Sequence, residues 1–225
     1  FADELPPAVL EEESAKYYAN ILMPYSPLVA KLLDRCGQLQ LDAQIIAPDH
    51  GPVFRRDLAP VLERYARWSA QKPTDKVVVV YDTMWDSTHM LARQIEENLH
   101  RLGHPVKLLS LHAAHRSDVM TELLEAGAIC VGSPTLNNQM FPTVADLLAY
   151  AAGLKRQNLV GMAFGSHGWS GEGAKKVAAA LTEMGVKVVG TVQCKYRPDE
   201  AALAACRETA GALSLALREN LSREG

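Results

Sequence analysis

The chain lacks most of the features that would declare a function at once. No apolar run approaches the roughly 18 residues that cross a bilayer, and no charged-then-apolar leader opens the sequence. No membrane partner is therefore expected. The formal net charge is −3 over 225 residues, and no basic stripe advertises nucleic acid. There are four cysteines, Cys36, Cys130, Cys194 and Cys206. None forms a C-x-x-C pair, and their spacing fits neither a zinc cluster nor a disulfide framework. They read as thiols of a reducing compartment, so a cytoplasmic protein is expected, with Cys130 a small core hydrophobe. Glycine signatures for nucleotides are missing too. Without G-x-x-x-x-G-K-[ST] or G-x-G-x-x-G, triphosphate and dinucleotide sites are not expected. The first residue is Phe1 rather than methionine, which fits a processed chain or one that begins part-way through a longer protein.

What is present divides near "SAQKPTDK", residues 69 to 76, a polar stretch between two unlike patterns. Beyond it, strands and helices alternate. "KVVVVYD" (76–82) is a continuous β-branched run, as in a strand buried on both faces of a parallel sheet. Leu91, Ile95, Leu99 and Leu102 then mark one face of a helix. Further strands are expected at 105–111, 127–133, 158–166 and 186–194, each followed by a helix, the last from Asp199 to about Leu217. The pattern predicts a doubly wound five-stranded parallel sheet. Before the break, residues 7 to 37 carry a helical periodicity interrupted by Pro24 and Pro27, with Gly37 as a helix end. A short strand from Leu41 to Ala47 and a helix over 57–70 follow. This part has no evident closed core and reads as the tail of a larger domain.

Ligands of an open parallel sheet bind beyond the carboxyl ends of its strands, and three loops there are unusual. "YDTMWDSTHM" places Thr83, Ser87 and Thr88 directly before a helix, where hydroxyls and free N–H groups suit a phosphate. Simple N-capping would need only one such hydroxyl. "GSPTLNNQMFP" (132–142) is rich in hydroxyls and amides. "FGSHGWSGEG" (164–173) has four glycines, which let backbone lie close to a flat ligand, and Trp169 is poorly placed there as core filler. His167 shapes the turn or lines the site, since no carboxylate is positioned to orient it. Together these loops suit a flat heterocycle with one phosphate arm. A receiver domain shares the sheet but needs an aspartate where this chain has Gly132-Ser133-Pro134.

"YDTMWDSTHMLA", "VGSPTLNNQMFP" and "AFGSHGWSGE" resemble the three FMN loops of the flavodiiron proteins, the A-type flavoproteins that include rubredoxin:oxygen oxidoreductase. "KYYANILMPYS" and "IIAPDHGPVFR" resemble the end of the metallo-β-lactamase-like domain that precedes the flavodoxin-like domain in that family. The five motifs occur in order over essentially the whole chain. The resemblance implies a remnant of the metallo-β-lactamase-like (di-iron) domain over 1–72 and a flavodoxin-like FMN-binding domain over 73–225. It implies FMN contacts from Thr83, Met84, Trp85, Asp86, Ser87 and Thr88, from Pro134, Thr135, Leu136, Asn137 and Asn138, and from Ser166, His167, Gly168, Trp169 and Ser170. Trp169 is expected beside the ring, and His50 matches the last iron-ligand histidine.

The family is an oxidoreductase that reduces O2 to water or NO to N2O at a di-iron centre. Its electrons arrive from a rubredoxin-like donor through FMN, in a head-to-tail homodimer. Two departures stand out. Compared with short-chain flavodoxins, Trp85 and Asp86 replace a small hydroxyl residue and a glycine. A carboxylate beside a phosphate dianion would be repelled, so Asp86 is expected to point outward or to cap the helix. The family's H-x-E-x-D-H cluster is absent, and His50 is the only histidine before residue 89. The chain as written is therefore not expected to complete a di-iron site alone, and Phe1 as first residue fits a start downstream of those ligands. The competing expectations are a free-standing flavodoxin-like carrier with an N-terminal dimerisation arm, and a flavin-free binding module.

Overall fold

The computed structural model describes residues 1–224. The Val77–Tyr81 run forms β1, buried along its whole length. It is followed by α4 (Ser87–Arg101), β2 (Val106–Ser110), α5 (Arg116–Leu123), β3 (Ala128–Gly132), α6 (Pro142–Leu154), β6 (Val160–His167), α7 (Glu172–Glu183), β7 (Lys187–Lys195) and α8 (Glu200–Glu224). The five long strands form one parallel sheet in the order β2-β1-β3-β6-β7. Side chains alternate across β1. Val78 and Val80 meet Met120, Leu123, Val144 and Leu147 on one side. Val77, Val79 and Tyr81 meet Leu91, Ile95, Leu99 and Leu213 on the other. Both faces are dry, which is why the strand is apolar at every position.

Four details depart from the sequence expectation. The loop after β3 contains a small hairpin, β4 (Thr135–Leu136) and β5 (Gln139–Met140), turning on Asn137 and Asn138. Helix α8 continues past Leu217 to Glu224. The expected strand from Leu41 to Ala47 does not form. Only an isolated bridge joins Ile46 to Phe54, with N–O distances of 2.9 and 2.8 Å, because no further strand is at hand to extend the ladder. The expected interruption of the first helical region is present, and its prolines start the turns that follow it. After α1 (Pro7–Tyr17) the chain passes through a π turn and a 3-10 turn with Pro24 in its first positions, and Pro27 lies in the first turn of α2 (Ser26–Gln38). A missing N–H costs nothing there. Gly37 lies inside the last turn of α2, not at its end.

The N-terminal segment shares the core of the sheet. Tyr18, Ala19, Met23 and Trp68 (on α3, Leu58–Ala70) pack into the α5–α6 side, with Tyr18, Tyr65 and Trp68 in mutual ring contact. Polar contacts fix the same interface. Lys16 Nζ donates to Asp118 at 2.8 Å, Trp68 Nε1 to Glu125 at 2.9 Å, and Tyr150 Oη to Asn20 at 2.9 Å. Arg156 closes the seam. It is 3% exposed, and its guanidinium donates to the carbonyls of Gln71, Lys72, Leu123, Ala126 and Gln157. Burial pulls it down to about 10, which still leaves it charged at neutral pH. The buried cysteines are core fillers. Burial raises Cys130 well above an ordinary thiol, Cys194 to about 11 and Cys206 to about 12.

Arg156→Met removes the donor from five carbonyls at once. Urea unfolding is expected to show a loss of about 3 kcal/mol. Arg156→Lys recovers only part of that, because an ammonium has three donors and no fork.

Candidate functional site

The parallel register brings Tyr81, Gly132, His167 and Lys195 to one edge of the sheet. The chain leaves β1 through Asp82, which is fully buried. Its carboxylate accepts from the Thr83 N–H at 2.7 Å and from the Thr143 hydroxyl. This ties the first loop to the start of α6. Thr83 Oγ1 is then buried with no hydrogen-bond partner among the described residues. Asp86 sits in the left-handed region at φ 62°, a conformation that glycine takes readily and aspartate tolerates. It is exposed, lies off the cavity described below, and makes no capping hydrogen bond. Of the two expected roles, outward pointing is found and capping is not.

The loops are joined by short polar contacts. The Thr88 and Ser166 hydroxyls meet at 2.9 Å, linking the first loop to the third. Ser170 donates to Asn138 Oδ1 at 3.1 Å and Gly173 N–H to Thr135 Oγ1 at 3.0 Å, linking the third to the second. Ser133 Oγ accepts from Phe141 N–H at 2.8 Å and closes the base of the hairpin. Asn137 and Asn138 both have positive φ, 50° and 58°, so a tight hairpin turn explains their amide character before any ligand does.

The glycines of the third loop also serve a different purpose from the one expected. A Cβ on Gly165 would lie 2.1 Å from the Ser133 carbonyl oxygen. Its lack of a side chain lets two loops touch, not a loop and a ligand. Gly168 alone of the four would accept a Cβ without a clash, its nearest neighbour being the Tyr196 ring at 3.5 Å.

The loops enclose a cavity of about 730 Å³. Every residue expected of the three loops lines it except Thr83, Asp86 and Thr88. Thr88 is buried beneath Ser166 instead, and the Thr83 hydroxyl is buried in the loop between β1 and α4. Trp85 and Trp169 stand at its rim, 87% and 94% exposed. Trp169 is therefore not folded over its own loop. His167 lines the wall with Nδ1 buried and unpartnered. A fourth loop, after β7, was missed in the sequence. Tyr196 and Arg197 line the same cavity. The position of "CKYRPD" at the carboxyl end of a parallel strand was the available signal.

The residues fit a flat ligand with one phosphate. An orphan hydroxyl lies in the loop that leads into α4, and two exposed tryptophans line the cavity. Among the described residues, no three His, Cys, Asp or Glu side chains could hold a metal ion. His50 is exposed, with its ring 5.7 Å from that of Tyr17.

This sheet order and loop cluster define a flavodoxin-like protein, and the comparisons agree. The Flavodoxin family profile matches residues 79–209. A rubredoxin-oxygen oxidoreductase of Megalodesulfovibrio gigas is 40% identical over 225 residues, 99% of this chain and 56% of the relative. A nitric oxide reductase of Moorella thermoacetica is 45% identical over 177 residues, 79% of this chain and 44% of the relative. Among solved structures, the flavodiiron protein from Giardia intestinalis matches with TM-score 0.93 and 28% identity, over 100% of this chain and 56% of that one. The chain belongs to the flavodoxin family, in the form that flavodiiron proteins carry. It spans about half the length of the curated relatives it matches.

Gly165→Ala sets a methyl against the Ser133 carbonyl. Thermal unfolding should report a loss of about 2 kcal/mol or more, the range of overpacked sites. Gly168→Ala, which meets nothing closer than 3.5 Å, is expected to leave stability unchanged within about 0.5 kcal/mol.

Proposed function

We propose that this chain binds FMN at the cavity beyond the carboxyl ends of β1, β3 and β6, and serves electron transfer within a flavodiiron O2 or NO reductase. The observation that carries the reading is the slot between the loops, rimmed by Trp85 and Trp169, with the buried, unpartnered Thr83 Oγ1 in the first of those loops. FMN, when bound, supplies one-electron chemistry that no side chain can. Thr83 and Ser87, with the N–H groups opening α4, receive the phosphate. The backbone of 134–138 and 166–170 would border the ring, and Trp169 would cover one face of it.

Residues 1–72 are read as the end of a metallo-β-lactamase-like domain and 73–225 as the flavodoxin-like domain. His50 is proposed as one ligand of a di-iron site. The described residues do not make up the rest of that site, so its other ligands come from outside them. A rubredoxin-like donor, O2 or NO as substrate, a head-to-tail homodimer and a cytoplasmic location are proposed for the whole protein, on the strength of the relatives above. No helix among the described residues is long and apolar enough to cross a membrane.

Titration of the flavin-free chain with FMN, followed by tryptophan fluorescence, should show tight one-to-one binding. Thr83→Ala is expected to weaken FMN about tenfold, the cost of one hydrogen bond to a charged group, while leaving riboflavin, which has no phosphate, unaffected. A colourless chain that takes up neither flavin would overturn the reading.

A further inference from the structure

The residue that opens the first loop is a buried acid. Asp82 follows β1 directly and is fully buried. Its backbone N–H donates to the Gly132 carbonyl at 3.2 Å, where β3 passes into the second loop. Its carboxylate divides its two oxygens. Oδ1 accepts from the Thr83 N–H at 2.7 Å, and Oδ2 accepts from the hydroxyl of Thr143, in the first turn of α6. The second loop, 132–142, runs between Gly132 and Thr143. One residue thus holds both ends of the second loop and the start of the first.

A carboxylate is costly to bury unless it is paired or well hydrogen-bonded. Among the described residues the ion-pair contact of Asp82 is with His112, whose Nδ1 lies 3.9 Å away on a side chain 78% exposed. That contact is long, open to water, and ionic only when the imidazole is protonated. No permanent cation offsets the burial. An apolar residue after β1 would fill the space without that cost, so packing does not account for the acid. What the carboxylate adds is two strong acceptor atoms, one for each of two elements.

We propose that Asp82 is a positioning residue for the phosphate of FMN, holding the first loop against both ends of the second. The inference rests on the FMN reading above and deepens it. Asp82 does not line the cavity, so it acts through Thr83. With the Thr83 N–H committed to Asp82, the backbone at the head of the loop is fixed. Thr83 then keeps only its buried, unpartnered hydroxyl for the phosphate. The loop is set before the ligand arrives, and binding does not have to order it.

The test separates hydrogen bonds from charge by titrating flavin-free variants with FMN and with riboflavin. Asp82→Asn and Asp82→Ala lose the same charge. Asparagine keeps a carbonyl oxygen for the Thr83 N–H and an amide to donate to the Thr143 hydroxyl, whereas alanine keeps neither. Asp82→Asn is expected to bind FMN at least as tightly as the parent, because a charge of the phosphate's own sign is gone. Asp82→Ala should bind FMN on the order of tenfold more weakly than Asp82→Asn, with riboflavin alike in the two. Thr143→Val and Thr143→Ser examine the second arm from an exposed position and serve where Asp82→Ala fails to fold. Thr143→Val should bind FMN about threefold or more weaker than Thr143→Ser, again with riboflavin alike. Equal FMN affinity in Asp82→Asn and Asp82→Ala would overturn the proposal and leave the FMN site intact. So would a loss shared equally by FMN and riboflavin, which marks damage to the fold and not to the phosphate contacts. Where Asp82→Ala does not fold, equal FMN affinity in the two Thr143 variants overturns it instead. Failure of the parent chain to take up FMN would overturn the site itself, and this inference with it.

Discussion

The structure depends on one constraint, the parallel register of five strands. Parallel strands need crossovers, and crossovers carry every strand back to start at the same edge. All the carboxyl ends therefore meet at the other edge. The chain runs from β1 outward to β2, then returns across β1 to β3. At that reversal the loops leave in opposite directions and a crevice opens between them. The cavity lies there because the connectivity allows no other place for it. The polar links between loops are consequences of the same convergence. Thr88 meets Ser166, and Thr135 meets Gly173, because their strands all end at the same edge of the sheet.

The second organising feature is a buried cation with no anion. Arg156 follows α6 by two residues and donates to carbonyls on both sides of the seam between the N-terminal segment and the sheet. These carbonyls belong to helix ends and loops, and Leu123 also accepts from the Ala126 N–H at 3.1 Å. One planar group with several donors satisfies them together. A carboxylate partner would compete with the carbonyls for the same donors. The result is a joint whose polar groups are satisfied only while both halves are in place. It couples the position of α3 to that of α6, and so to the Thr143–Asp82 contact beneath the first loop.

The sequence made the sheet legible because period and burial agree in it. A valine run with no polar face can only be a strand covered on both sides, and the leucine spacing of α4 can only be a helix on one of them. The three loops were legible because hydroxyls, amides and an exposed tryptophan have no packing use at strand ends. What stayed hidden depended on contacts between distant residues. Asn137 and Asn138 look like ligand amides until their φ angles show a turn. Gly165 looks like room for a ligand until the Ser133 carbonyl is placed against it. Tyr196 and Arg197 follow a strand whose middle is only half buried, and nothing local says that they face the cavity. The shared core of Tyr18 and Trp68 with α5 was invisible because residues 1–72 lack the strands that would announce a core of their own.

That shared core bears on how the two proposed centres are related. The N-terminal segment has two apolar sides. Tyr18, Met23 and Trp68 are buried against the sheet, whereas Leu28, Leu32, Leu39, Leu41 and Ile45 are more than half exposed. A cluster of exposed leucines next to a satisfied core is the signature of a contact surface, and the relatives are about twice as long as the matched region. On the reading proposed above, this segment is a wall held in common, apolar toward the flavodoxin-like sheet and apolar toward the rest of the whole protein. His50 belongs to that wall. Its loop is held by the Ile46–Phe54 bridge, its ring touches Tyr17, and the helix bearing Tyr17 is tied to α5 through Lys16 and Asp118. A ligand mounted in this way moves with the flavin cavity and not independently of it. On that reading, packing within the chain fixes where His50 and the cavity lie relative to one another.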